Sequence, residues 1–156
     1  MRKYVLFMVS AWLLNACSHA DGDADAAVKE RARQFAEAYF NYDFAGARRF
    51  VTPESEKWLR FAASNVTQED VDLVNAVSPE SVEMVATACQ HEDDSTARVM
   101  VIVYNAVLKD SLGQPAHVAE EAEFTLTLVS RDGGYLVRME GLPRNERQSR
   151  GPVAGE

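Results

Sequence analysis

At Ser78-Pro79 the apolar residues of this chain stop recurring every three or four positions and begin to alternate every second one. A helix buries a stripe of period 3.6 and a strand one face of period 2, so the switch places helices first and strands last. Helices followed by a run of strands form an α+β domain with an antiparallel sheet, since parallel strands need crossovers between them. Upstream of the switch, Asp25 is expected to cap a helix running to about Phe40, with Val28, Ala32, Phe35, Ala36 and Tyr39 as its apolar stripe. Asp43 is placed to cap a second, short helix carrying Phe44, Ala47, Phe50 and Val51. Thr52-Pro53 starts a third, where proline at the first position loses no hydrogen bond, and Trp58, Leu59, Phe61 and Ala62 follow. Thr67-Gln68-Glu69-Asp70 caps a fourth segment with Val71 and Val74.

Downstream, Val82, Met84, Ala86 and Ala88 share one strand face, and His91 to Ser95 reads as a polar turn. Ala97 to Leu108 is apolar on both faces, with Val99, Val101 and Val103 on one and Met100, Ile102 and Tyr104 on the other. Such a strand is central and covered on both sides. Helices cover one side only, so one triplet is expected to meet a second copy of the chain or a partner protein. Asp110 to Pro115 is a loop, after which Ala122, Phe124, Leu126 and Leu128 alternate. Asp132-Gly133 is a hairpin signal that sets Leu128 opposite Val137 and Leu126 opposite Met139. Residues 144–156, with Arg144, Arg147 and Arg150, carry no apolar pattern and are expected to form a disordered tail.

The first residues address the chain. Arg2 and Lys3 precede an apolar run from Tyr4 to Leu14, too short to span a bilayer, which needs roughly 20 apolar residues. Leu14-Asn15-Ala16-Cys17 then resembles the lipobox of bacterial lipoproteins. The resemblance implies that residues 1–16 are removed, that Cys17 carries the lipid, and that Ser18 directs the protein to the outer membrane. Residues 17–24 would form an acidic tether. The formal charge of −8 becomes −10 once Arg2 and Lys3 are lost. Such a balance argues against nucleic acid and anionic head groups as partners and leaves the lipid as the membrane contact. Cys89 then has no partner within the chain and is expected to be a small buried strand residue.

Residues 25–143 resemble the nuclear transport factor 2-like superfamily. The resemblance rests on Tyr39-Phe40-Asn41-Tyr42-Asp43-Phe44-Ala45-Gly46-Ala47, then Thr52-Pro53, then hairpins containing Asp132-Gly133-Gly134-Tyr135-Leu136-Val137. It implies N-terminal helices packed into a strongly curved four-stranded antiparallel sheet, cone-like, with a pocket at the open end. Members include isomerases and dehydratases as well as non-catalytic binding modules. For catalysis by proton transfer the resemblance points to Tyr39 as the hydroxyl and Asp43 as the remaining carboxylate, because Glu83, Glu123 and Glu140 all alternate away from the core face. His19, His91 and His117 show no ligand spacing, and there is no glycine-rich phosphate loop, so neither metal nor cofactor is expected. The sequence therefore favours a membrane-anchored, non-catalytic module binding a ligand or a protein. The alternative is a pocket enzyme acting on a small apolar or cyclic substrate.

Overall fold

Residues 18–78 and 81–149 are described by a computed structural model, and they form the expected α+β arrangement. Helix α1 (Ser18–Phe40) lies across the concave face of a four-stranded antiparallel sheet of order β1-β2-β3-β4. The strands are β1 (Glu83–Asp93), β2 (Thr96–Leu108), β3 (His117–Arg131) and β4 (Gly134–Arg138). In chain order α1 is followed, before β1, by α2 (Phe44–Ala47), α3 (Glu56–Ser64) and α4 (Gln68–Ala76), with 3₁₀ turns at Arg48–Phe50 and Pro53–Ser55. Val28, Ala32, Phe35 and Ala36 of α1 are fully buried against Val99, Val101 and Val103 of β2 and Leu128 of β3. Phe40 packs its ring on Phe124, with centroids 4.4 Å apart.

Helix α1 does not start at the expected cap, Asp25, but at Ser18. The described part of the acidic tether is therefore helical. Ala24, Ala26 and Ala27 are strong helix formers. Cys17 and residues 1–16 lie outside the described residues. The caps at Asp43 and Thr67 are as expected. Asp43 accepts from the Gly46 N–H at 2.8 Å, and Thr67 and Asp70 form a reciprocal capping box.

β1 carries two register shifts, at Ala86/Cys89 and His91/Asp93, and β2 a positive-φ residue. In β1, Thr87 and Ala88 together oppose Met100, a bulge that turns Cys89 and His91 onto the core face in register with Val99 and Ala97. Ala88 is consequently exposed, against expectation, and His91 belongs to the strand, not to a turn. Cys89 is half-buried at the margin of the core. In β2, Asn105 takes φ of 53° and donates its side-chain amide to the Ser81 carbonyl at 3.0 Å, which returns Ala106 and Leu108 to the core.

The hairpin turn is of the primed kind, with φ of 50° at Asp132 and 80° at Gly133, and Leu128 faces Val137. The ladder stops at Thr127–Arg138, one step before Leu126 could meet Met139. The Met139 N–H donates instead to Ser55 Oγ at 2.8 Å, although the Met139 side chain is still buried. Gly133→Val should cost on the order of 1–3 kcal/mol. A Cβ there would meet nothing within 4 Å, so the whole penalty is backbone conformation. The denaturant midpoint measures it.

Because β4 is short, residues 117–126 of β3 have no strand partner on that side among the described residues. The chain after Pro143 covers this edge and is not a solvated tail as far as it is described. Asn145 Oδ1 accepts the Glu123 N–H at 3.3 Å, α5 (Glu146–Ser149) packs on β3, and Arg147 pairs with Glu121 at 2.7 Å. Residues 150–156 lie outside the described residues. Among the described residues no helix is long and apolar enough to cross a membrane.

Candidate functional site

A cavity of about 840 Å³ opens at the C-terminal end of α1. One wall is aromatic: Tyr39 and Phe40 from α1, Tyr42 from the following turn, Phe44 from α2, Trp58 and Phe61 from α3. Val107 to Leu112 close the second side, Phe124 the floor, and the segment from Glu140 to Asn145 the third side. Phe61 and Leu112 are 40% and 51% exposed, and both belong to this lining. Helix α1 turns into the cavity wall through a Schellman motif. Asp43 N–H donates to the Ala38 carbonyl at 2.9 Å and Tyr42 N–H to the Tyr39 carbonyl at 3.1 Å. The left-handed position of that motif usually holds glycine, and here it holds Tyr42 at φ of 64°. A side chain in that region costs roughly 1–2 kcal/mol. In exchange the ring is placed in the wall, stacked on Phe44 at 5.8 Å.

Behind this wall lies an ion pair that sequence reasoning missed. Lys109, just past β2, donates to the buried Asp70 carboxylate at 2.6 Å and to the Asn65 carbonyl at 3.1 Å. One ammonium thereby ties the end of β2 to the end of α3 and the start of α4. Burial pushes the Asp70 carboxyl up, but hydrogen bonds from Lys109 and from Thr67 outweigh it and hold the group below the ordinary carboxylate range. Burial, with the Asp70 charge adding to it, pushes the Tyr42 hydroxyl up to about 12. The Thr67-Gln68-Glu69-Asp70 phrase signals the helix cap, but nothing local signals a lysine 39 positions later.

Tyr39 lies in the lining, stacked on Phe35 at 5.4 Å and edge-on to Phe40 and Phe44. Its hydroxyl has no hydrogen-bond partner among the described residues, and burial pushes it upward, so near neutral pH it stays protonated and can both donate and accept. Asp43 is committed to its cap. A Cβ on Gly46 would lie 2.0 Å from the Asp43 carboxylate, which shows how closely that group sits over the turn. Glu83 is exposed and Glu123 stands on the outer face beside Ile102, both away from the core as expected. Glu140 is exposed as well, but it stands in the cavity lining, where the chain has left the sheet. The cavity thus offers aromatic surface, the Tyr39 hydroxyl and, where it meets solvent, the exposed carboxylates Asp110 and Glu140. Its one buried carboxylate neighbour, Asp70, is neutralised, and this is a poor arrangement for proton abstraction.

Met100, Ile102 and Tyr104 form the outward triplet of β2, each half-buried, while Val99, Val101 and Val103 are fully buried. The triplet is flanked by Glu121, Glu123 and Thr125 of β3 and by Val85 of β1.

No protein-family model matches the chain, and no curated protein sequence matches it. Among solved structures it is similar to an "Ntf2 like protein involved in plasmid conjugation", with 14% sequence identity and a TM-score of 0.41. The likeness covers 78% of this chain and 48% of that one, so this chain spans about half its length. The helices set in a curved, four-stranded antiparallel sheet are those expected from the nuclear transport factor 2-like resemblance.

Proposed function

We propose that this chain is a bacterial envelope lipoprotein, held at the outer membrane through Cys17, whose cavity captures a small amphipathic molecule without transforming it. The observation that carries the reading is the apolar rim: Phe61 and Leu112 stay exposed at the mouth of a cavity already walled by Tyr39, Phe44 and Trp58. Large apolar side chains gathered around a concave site, with a few polar groups at the margin, suit a ligand with an apolar body and a polar end. Asn65, Lys109 and Gln148 supply that margin. The carboxylates support a binding role over a catalytic one: Asp43 is a cap, Asp70 a salt-bridge partner, and Asp110 and Glu140 are exposed at the lining. A second surface belongs to the same reading: the outward row Met100, Ile102 and Tyr104, proposed as the seat of a second copy of the chain.

Trp58 is the only tryptophan beyond the leader and stands in the cavity wall, so it reports on the site directly. Titration with anilinonaphthalene sulfonate should quench Trp58 saturably. Phe61→Glu, at a half-exposed position, should weaken that binding on the order of tenfold and leave the thermal midpoint unchanged. Undiminished binding by this variant would place the probe elsewhere and overturn the reading.

A further inference from the structure

At the other end of α1, about 21 Å from Tyr39 by helix rise, three side chains from distant positions in the sequence converge. They are Asp25 of α1 and Cys89 and His91 of β1, whose ligand atoms all lie within 4.8 Å of one another. His91 Nε2 is 2.7 Å from Asp25 Oδ1 and 3.9 Å from Cys89 Sγ. The convergence is produced by the bulge at Thr87 and Ala88, without which Cys89 and His91 would point to the outer face.

Cysteine, histidine and aspartate together invite comparison with a nucleophilic triad, and the geometry rejects it. A triad needs the carboxylate on one ring nitrogen and the thiol on the other. Here both approach the same nitrogen, Nε2. Burial and the Asp25 charge also push the Cys89 thiol up, the opposite of what a nucleophile requires. Three different donors aimed at one point describe a coordination site.

We propose that Asp25, Cys89 and His91 bind a zinc(II) ion that cross-links α1 to the edge strand β1. The donor set of one sulfur, one nitrogen and one oxygen suits a borderline ion; calcium and magnesium take oxygen alone, and copper(I) prefers sulfur. One thiolate and one carboxylate balance the two charges of the ion, with the imidazole neutral. On binding, the thiol proton passes to solvent and the sulfur lone pair forms the metal bond. Zinc bond lengths place tetrahedral ligand atoms roughly 3.3–3.7 Å apart. The separations of 2.7 Å and 3.9 Å bracket that range, so side-chain rotation of the half-exposed Asp25 and the exposed His91 completes the geometry. Three protein ligands leave the fourth position open to water or to an external donor.

The test uses the full chain carrying Cys17→Ser, in which Cys89 is the single thiol. Cobalt(II) should give a thiolate charge-transfer band that saturates at one ion per chain and is lost when zinc(II) is added. Zinc should raise the thermal midpoint. His91→Gln and Asp25→Asn should each weaken zinc binding on the order of 100-fold, and Cys89→Ser should abolish the band. His91→Gln alters an exposed ring and keeps the test valid if Cys89→Ser fails to fold. No band in the parent chain, or an unchanged band in His91→Gln, would overturn the proposal.

Discussion

Lys109→Met is expected to destabilise the domain by about 3–5 kcal/mol, because it strands the Asp70 carboxylate in a site that is 2% exposed. Methionine keeps the aliphatic stem, so lost packing contributes little and the uncompensated charge dominates. The pair joins α3, α4 and the end of β2, so its loss also loosens the wall of the cavity. Adding Asp70→Asn to Lys109→Met should recover part of the loss, since no buried charge is then left unpaired. The pH dependence has a definite sign. Folding holds the Asp70 carboxyl below its ordinary value near 3.8, so its contribution is fully present above that value. It is lost as pH falls through the ordinary value and then the folded one. Urea midpoints measured from neutral pH downward in wild type and Lys109→Met should therefore converge under acid. A loss below about 1 kcal/mol, the usual worth of an exposed pair, would mean the pair is not buried.

The second large effect separates neighbouring positions. Val101→Lys buries an unpaired ammonium in a fully enclosed site opposite Phe124, and a loss of more than about 4 kcal/mol is expected. Ile102→Lys, one residue later, points to the outer face opposite Glu123 and should change stability by no more than roughly 0.5 kcal/mol. If the outer row seats a second copy, sedimentation should find Ile102→Lys as a folded monomer where the parent chain is dimeric. Equal tolerance of both lysines would contradict the assignment of the two faces.

That these positions lie on opposite faces was legible in the alternation of Val99 to Tyr104, and so were the caps at Asp43 and Thr67 and the turn at Asp132-Gly133. Each is a local code, in which neighbouring side chains and backbone angles decide the outcome. What stayed hidden depends on events the code does not contain. The bulge at Thr87 and Ala88 inverts the parity of β1, so strict alternation assigned Ala88 to the core and left Cys89 and His91 unrelated to Asp25. The Asp70–Lys109 pair forms only when α4 and the end of β2 have docked. The order of residues 144–149 follows from the shortness of β4, which leaves a β3 edge for Asn145 and Arg147 to cover. The cavity likewise arises where elements end, in the turn after α1, the loop after β2 and the chain after β4. Periodicity is silent there.

Backbone amide shifts of the isotopically labelled chain, recorded while anilinonaphthalene sulfonate is added, test the proposed ligand site most directly. Saturable changes at Asn65, Lys109, Leu112 and Gly141, which line the cavity, with Gly133 and Val118 unmoved, are the predicted result. Changes confined to Met100 through Tyr104 on the outer face, with the cavity residues still, would contradict it.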